Sequence, residues 1–542
     1  KTGGQNVVDA LRRIGGLGYS AYAPLGLTAG MGSDLSIRGI EDGELILVNG
    51  MPVQNVGDRN YNLHSLPVDQ IERVEVMKGA ASTLYGSDAM SGVINIITEK
   101  PKGEKSQVKL DTQAGDFHYH NHSLKYLAPT LTLGVNYQHL MGMKFVQRDF
   151  ADNEYNHTKA LDRYSLNFSK KLTENLIYNL RGSYTESGYE EFDAVTDRIE
   201  ESDDQEEYEM FTNLRYRTDD WLVKTFLSYN RMKSTEYEYP PKTLDDVDRV
   251  ENVNAGVSTD YKFALGKFDS RVGVEYIHRA ADFDSKYGYH YRNDYALYLT
   301  MSRRFFDRLT LEAGARQQFI EFESEAGDYD EFVPSLGATF KISDNLNWYA
   351  NTARAFRAPT FNNLYYDSWR LAGNPDLGPE EGWNYETGIK FTSSRLSLRL
   401  GAFYMDFEDK IESYKPGGYP YVYFNAQTAE SIGLDWDIDW QPVDKEAGIL
   451  SNIVMTSSGS WMDPTAKNPD GETFQTGAKL QAAVGVTYSD KKLDCGLHVP
   501  VTTSRPDGLD SITTVNLTAR YQLPLGALTM EVNNLFDQDV EI

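Results

Sequence analysis

The chain has 542 residues and a formal net charge of −27, with 53 Lys and Arg against 80 Asp and Glu. This length excludes a single small core, and the negative charge excludes a nucleic-acid partner, which would require a basic surface to neutralise phosphates. One cysteine, Cys495, excludes an internal disulfide framework and a four-cysteine zinc site.

The first hundred residues predict a small α/β domain. Residues 6–14 favour a helix, and short β-branched runs follow at 44–48, 73–77 and 93–98. Glycine-rich turns separate these elements, and a polar linker at 100–103 ends the segment. We therefore expect one domain over residues 1–103 and a second over 104–542.

The second region alternates apolar and polar residues with period two. Leu396, Leu398 and Leu400, for example, are separated by polar or small residues. The longest apolar runs are about five residues, far short of the ~20 that a membrane helix needs. A transmembrane β-barrel hides its apolar face in alternate residues, so this pattern favours a barrel. A β-propeller is the alternative, but its blades hold four short strands, whereas these segments hold two strands of about ten residues.

Tight polar turns recur about every 35 to 50 residues in this region. They fall at residues 128–130, 173–175, 218–220, 265–267, 306–308, 343–345, 393–395, 442–445, 489–492 and 524–526. Between them the sequence predicts two strands joined by a long polar loop, as at 186–207 and 234–251. These turns divide the region into about 21 strands. Bacterial single-chain barrels have an even number, so we expect a closing strand after residue 542.

Several motifs resemble those of the TonB-dependent outer-membrane receptors. In the first domain they are LSIRGI at 35–40, LILVNGMPV at 45–53, IERVEVMKG at 71–79 and STLYGSDAMSGVINIIT at 82–98. In the second region they are AFRAPT at 355–360, GNPDL at 373–377 and NNLFD at 533–537. The motifs cover the chain in the family's order.

This resemblance implies an all-β, 22-stranded antiparallel transmembrane barrel in the bacterial outer membrane, with the N-terminal α/β domain as a plug inside its lumen. It implies a receptor that imports a scarce, bulky nutrient, not an enzyme, and we find no nucleophile–base pattern. The TonB–ExbB–ExbD complex would supply energy through a TonB box, which is not visible in this chain. Lipopolysaccharide and outer-membrane lipid would surround the barrel. The alternative of another class, a non-transporting adhesin or structural barrel, would not need an intact plug.

The resemblance also implies an electrostatic latch between plug and barrel. Arg38 and Lys78 fall where the family places two plug cations, and Glu386 and Asp435 where it places two barrel carboxylates. Lys and Asp replace the usual Arg and Glu, so we expect a looser or water-bridged contact below the ligand pocket. Ordinary lumenal charges are the alternative interpretation.

Two predicted loops are unusually acidic and are candidates for calcium, which takes six to eight oxygen ligands. The vitamin B12 receptor of the family is similar in this layout, with calcium ordering the equivalent loops. A solvated acidic rim is the alternative, and no cofactor is required. The candidate ligands are Glu190, Glu191, Asp193, Asp197, Asp245, Asp246 and Asp248.

The candidate ligand contacts combine plug apices with one barrel loop. Tyrosine and tryptophan offer large contact areas, and arginine can hold an anionic group. The residues are Tyr22, Asp58, Arg59, Asn60 and Tyr61 in the plug, and Tyr365, Tyr366, Trp369 and Arg370 in the barrel. Family frequency favours a ferric siderophore as ligand, and acidic loops favour cobalamin as the second choice. Haem is third, because residues 359–374 contain no His that could ligate its iron.

Overall fold

The computed structural model describes residues 7–11, 14–21, 33–59, 61–142, 144–145, 154–193, 198–239, 242–323, 327–414, 419–425, 428–443, 448–467, 471–506, 509–536 and 538. The described part forms a small N-terminal domain and a large antiparallel barrel. No helix within the described ranges has both the length and the apolar composition that crossing a membrane requires.

The N-terminal domain, here called the plug, contains two small sheets. Its elements are α1 (Val7–Leu11), β1 (Leu17–Ala21), β2 (Ser33–Ile37), β3 (Ile40–Glu41), β4 (Glu44–Val48), β5 (Met51–Pro52), β6 (Ile71–Lys78), α2 (Ser82–Tyr85) and β7 (Gly92–Thr98), with 3-10 turns at Leu63–Ser65 and Val68–Gln70. The sheet orders are β1-β2-β3 and β5-β4-β7-β6, with β4 and β7 parallel. Residues on both faces of β4 and β7 are buried, which explains why these strands consist mostly of consecutive apolar residues.

The remaining strands build the barrel and one small additional sheet. In chain order the first are β8 (Gln107–Ala114), β9 (His120–Leu127), β10 (Leu131–Leu140), β11 (Lys144–Phe145), β12 (Glu154–Lys171), β13 (Leu176–Asp193), β14 (Arg198–Arg217), β15 (Trp221–Glu238), β16 (Thr243–Leu265), β17 (Phe268–Phe283), β18 (Gly288–Phe305), β19 (Leu309–Phe322), β20 (Tyr329–Lys341) and β21 (Leu346–Arg357). After helix α3 (Phe361–Tyr365) come β22 (Leu371–Ala372), β23 (Glu380–Thr392), β24 (Leu396–Glu408), β25 (Ile411–Tyr414), β26 (Tyr421–Asn425), β27 (Thr428–Trp440), the 3-10 helix Gly448–Asn452, β28 (Ile453–Lys467), β29 (Thr473–Gln475), β30 (Leu480–Ser489), β31 (Leu493–Thr503), β32 (Ile512–Thr513), β33 (Asn516–Leu523) and β34 (Gly526–Val532).

The barrel runs in chain order from β8 to β34, and the strand order returns from β34 to β8. Within the described residues it contains 21 long strands and the short segments β11, β29 and β32. Successive long strands pair antiparallel, and β22, β25 and β26 form the separate small sheet. The closing strand expected after residue 542 concerns residues outside this sequence and stays a prediction.

The strands alternate between an inner and an outer face, as period two requires. On β27, Ser431 and Asp435 are buried against the plug, whereas the intervening Ile432 and Leu434 are 58% and 52% exposed. The outward residues therefore form the apolar surface that a membrane would cover.

The plug lies inside the barrel, because its backbone or side chains contact strands all around the wall. The hydrogen bonds link Gln70 to Ser165, Ser65 to Arg181, Gln54 to Asn254, Met90 to Asn384 and Arg38 to Ser431. The plug also has its own apolar core, which includes Val7, Leu11, Ile37, Val48 and Ile94.

Nine of the predicted tight turns separate consecutive long strands. The tenth, at 442–445, falls in a longer connection between β27 and β28, and residues 444–447 lie outside the described ranges. The predicted long loops at 186–207 and 234–251 were wrong: β13 to β16 extend through most of both segments. Beyond the apolar band both strand faces are polar, so the alternation disappears although the backbone ladder continues. We call this end of the barrel, opposite the tight turns, the mouth.

Candidate ligand-binding site and plug contacts

One buried cluster joins the plug to β23 and β27. Arg38 follows β2 with a left-handed backbone, at φ 57°, which turns its side chain toward the wall. Its Nη2 lies 2.6 Å from Oδ2 of Asp435 and 3.1 Å from Oε2 of Glu386. The side chains of Arg38 and Asp435 are almost completely buried, so this pair is shielded from solvent screening.

Lys78 is the fourth member of this cluster and lies farther from Asp435 than Arg38 does. Its Nζ lies 4.0 Å from Oδ1 of Asp435 and donates a hydrogen bond to the carbonyl of Gly15. Burial lowers the pKa of the Lys78 ammonium, and the Asp435 carboxylate opposes that shift. Glu386 accepts further hydrogen bonds from Arg399 at 2.7 Å and Tyr349 at 2.9 Å. The structure thus brings together the four residues assigned to the latch, with a tight contact at Arg38 and a longer one at Lys78.

A second ion network lies nearer the mouth. Arg357 on β21 forms a bidentate ion pair with Glu380 on β23, through its Nε and Nη2. Its Nη1 donates a hydrogen bond to the carbonyl of Asp42 in the plug at 3.1 Å. Arg59 is buried and donates to the carbonyls of Asp42 and Glu44. Two of the five N–H donors of Arg59 therefore bind the plug backbone, and the side chain also lines a cavity described below, so its contact with a ligand anion stays a prediction.

Two cavities flank the plug apex below the mouth. The first is lined by Leu45, Gln54, Asn55, Val56, Arg59, Asp88, Arg279, Arg292, Ala358 and Thr360. The second is lined by Asn55, Asp58, Tyr61, Asn62, Glu207, Glu209, Asn230, Met232, Val250 and Asn252. Both lie between plug and barrel, and each has room for only a small group of a bulky ligand, which could contact both domains there.

The predicted ligand contacts of the plug do not all lie in one cavity. Asp58 and Tyr61 line the second cavity, and the Tyr61 hydroxyl accepts a 2.7 Å hydrogen bond from Arg181. Tyr22 and Asn60 lie outside the described residues. The plug apex thus supplies two of the five predicted plug residues to the second cavity.

The four predicted ligand contacts of the barrel do not form a single surface patch. Tyr365, on α3, stacks on His290 with ring centroids 4.0 Å apart, and Tyr366 packs edge-on against Phe283. Trp369 is instead 68% exposed, with the Arg370 guanidinium 4.6 Å above its ring. The first pair therefore packs among aromatic side chains, and the second lies on the open surface of the mouth.

Helix α3 is tied to the plug by backbone hydrogen bonds. The amide of Phe361 donates to the Val56 carbonyl at 3.2 Å, and that of Asn362 donates to the Gly57 carbonyl at 2.9 Å. Thr360 caps the helix through a reciprocal capping box with Asn363. The loop after β21 consequently contacts the same plug segment that lines both cavities.

The candidate calcium ligands lie on strands, not on loops as predicted. Glu190, Glu191 and the backbone of Asp193 belong to β13, and Asp245, Asp246 and Asp248 to β16; Asp197 lies outside the described residues. Asp248 accepts a hydrogen bond from Ser285 and lies 3.8 Å from Lys286. Across the described ranges, no group of three or more His, Cys, Asp or Glu side chains is arranged to hold a metal ion. Calcium binding stays a prediction.

Sequence reasoning missed the barrel side of the second cavity. Glu207, Asn230 and Asn252 face inward on three adjacent strands. The register places Asn230 opposite Asn252 and opposite Glu209, which is two residues from Glu207 on the same strand face. The available signal was the period-two spacing of Glu207 with Glu209 and of Asn252 with Asn254, at the ends of the segments 186–207 and 234–251 that were interpreted as loops.

Comparisons with known proteins give consistent results. Residues 144–535 match the family model described as TonB dependent receptor-like, beta-barrel, and residues 1–93 match the TonB-dependent Receptor Plug Domain. The vitamin B12 transporter BtuB of Vibrio vulnificus is 24% identical, over 94% of this chain and 82% of its own length. BtuB of Photobacterium profundum is 22% identical, over 99% of this chain and 86% of its own length.

Solved structures share the fold. The siderophore receptor PirA from Acinetobacter baumannii superposes with a TM-score of 0.73 at 18% identity, covering 98% of this chain and 92% of that one. A mutant of the ferric enterobactin receptor PfeA from Pseudomonas aeruginosa, in complex with enterobactin, gives 0.74 at 17% identity and the same coverage.

Proposed function

This chain belongs to the TonB-dependent receptors, and we propose that it imports a bulky nutrient of the cobalamin class across the bacterial outer membrane. The plug must first bind the nutrient and then move, because it fills the lumen. The work comes from the TonB–ExbB–ExbD complex, which reaches the plug from the periplasm. Such a receptor performs no chemistry on its ligand.

The observation that carries this proposal is the lining of the second cavity. It combines three carboxylates, Asp58, Glu207 and Glu209, with four asparagines. Like charges placed together cost several kcal/mol, so this lining disfavours a polyanionic ferric catecholate. A neutral ligand rich in amides meets no such repulsion. Two relatives that align with nearly the whole chain are named vitamin B12 transporters, which supports the same choice.

A ferric siderophore is the second candidate, favoured by the arginines of the first cavity. Arg279 and Arg292 line it together with Arg59. Arg279, however, lies 2.8 Å from the Asp294 carboxylate, so much of its charge is already compensated. The siderophore receptors found among solved structures are 17–18% identical and support the fold alone.

Ligand titrations of the purified full chain test the proposal. Cyanocobalamin should bind with a submicromolar Kd, and ferric enterobactin at least tenfold more weakly, a difference of about 1.4 kcal/mol. Uptake of labelled cyanocobalamin by cells that produce the protein should disappear when TonB is deleted, while surface binding remains. The reverse order of affinities would refute the cobalamin assignment and favour the siderophore.

A further inference from the structure

The second cavity has a wall of hydrogen-bond acceptors built by strand register. Glu207 lies opposite Met232, Glu209 opposite Asn230, and Asn230 opposite Asn252, so these side chains project from one inner face. The plug closes the cavity with Asn55, Asp58, Tyr61 and Asn62.

The carboxylates on this wall retain acceptor capacity. One oxygen of Glu207 accepts from Asn230 at 2.9 Å and the other from Asn62 at 3.4 Å. Each carboxylate oxygen can accept about two hydrogen bonds, so Glu207 can take further donors. Arg181 lies 3.8 Å from Glu209 and compensates part of the negative charge. The wall therefore favours a group that donates hydrogen bonds and carries no negative charge.

One buried group of this cavity is a hydrogen-bond donor, in contrast to the acceptors around it. Asn252 is 2% exposed, and its Oδ1 accepts a 3.3 Å hydrogen bond from the amide of Gly57, which fixes the orientation of its side-chain amide. Its Nδ2 is buried with no hydrogen-bond partner in the protein. A buried N–H group without a hydrogen-bond partner destabilises the folded protein. We therefore expect an acceptor from outside the protein to bind this nitrogen.

We propose that the second cavity is a subsite for a primary carboxamide arm of the ligand, whose carbonyl accepts from Asn252 Nδ2 and whose NH2 donates to the Glu207 carboxylate. A ligand carboxylate could satisfy Asn252 but would face Asp58, Glu207 and Glu209, and an ammonium would satisfy only the acceptors. The proposal rests on the proposed function and deepens it, because it states which chemical group the receptor selects.

The test compares cyanocobalamin with its monocarboxylic acids, in each of which one propionamide is a propionate. The wild-type full chain should bind at least one of these acids tenfold or more weakly than cyanocobalamin. Glu207→Gln should restore most of that loss. The matched control is Glu206→Gln, because Glu206 is the next residue of β14 and its side chain is 45% exposed beside Lys233. The control should leave the discrimination unchanged.

A second variant tests the subsite independently, in case Glu207→Gln does not fold. Asn252→Leu keeps the number of side-chain heavy atoms but removes the donor, together with the acceptor of the Gly57 amide, and should weaken cyanocobalamin binding about five- to one-hundred-fold. Equal binding of all the acids and cyanocobalamin to wild type would overturn the subsite.

The subsite can fail separately from the proposed function. If cyanocobalamin does not bind, ferrioxamine B, a ferric chelate with a terminal ammonium, provides the second probe. Binding of ferrioxamine B that falls tenfold in Glu207→Gln but not in Glu206→Gln would place an ammonium at Glu207 and overturn both the carboxamide subsite and the cobalamin assignment. Insensitivity of both ligands to Glu207→Gln would overturn the subsite itself.

Discussion

Replacing Asp435 by Asn should loosen the plug without unfolding the barrel. The change keeps the shape of the side chain and one oxygen that Arg38 can still contact, but it removes the charge. Arg38 then retains only Glu386 as a carboxylate partner, and Lys78 loses the carboxylate 4.0 Å away. The barrel keeps its strand hydrogen bonds, which carry its stability in the membrane.

The expected magnitude follows from burial. Removing one partner of a buried ion pair costs about 3–5 kcal/mol, because the remaining charge stays in a low-dielectric site. Asn keeps a hydrogen-bond acceptor and Glu386 remains, so we expect a loss near the lower limit, about 3 kcal/mol. This corresponds to plug opening that is roughly 150-fold more frequent.

Amide hydrogen exchange of β4 and β7 measures this opening in the full chain, with β17 and β18 as the barrel reference. Exchange of the plug strands reports sub-global opening when reclosing is fast. Asp463→Asn is the matched control, because Asp463 is 49% exposed and pairs with Lys479 at 2.6 Å. An exposed pair contributes about 1 kcal/mol or less. Unchanged exchange in β4 and β7, or equal acceleration in the barrel strands, would refute the reasoning.

Two further predictions concern the plug interior. Burial raises the pKa of Glu44 to about 8 from an ordinary value of 4.5. The folded plug therefore prefers the protonated carboxyl, and its stability decreases as pH rises from about 4.5 to 8, by up to about 1.4 kcal/mol per pH unit. Glu44→Gln should flatten this dependence in hydrogen exchange corrected for intrinsic rates, and identical pH slopes would contradict the assignment. Gly15→Ala should displace the start of the plug from β28, because the added Cβ would collide with backbone atoms of Ser458 and Gly459 and not with a movable side chain. We expect about 1–3 kcal/mol of local destabilisation in exchange of α1 and β1, and little effect from Gly378→Ala, whose Cβ meets only ordinary contacts.

Period-two alternation predicted the barrel strands wherever one strand face meets lipid. Ile432 and Leu434 alternate with inward residues on β27, and the tight turns end such segments at regular intervals. Family motifs identified the plug and pointed to Arg38 and Asp435, which the structure holds 2.6 Å apart. Local pattern suffices in these places because alternation and turn chemistry depend on neighbouring residues.

The residues that line the mouth could not be predicted from local sequence patterns. Segments 186–207 and 234–251 have polar residues on both strand faces, so their composition is typical of loops although their backbones form ladders. The fold also placed two of the Arg59 donors on plug carbonyls, which its sequence context does not indicate. Glu207 and Asn252 lie on β14 and β16 and meet around Asn230 of the strand between them, opposite Asp58 of the plug. Such a site depends on strand register and on how the plug is seated, and both are set by hydrogen bonds between residues far apart in the chain.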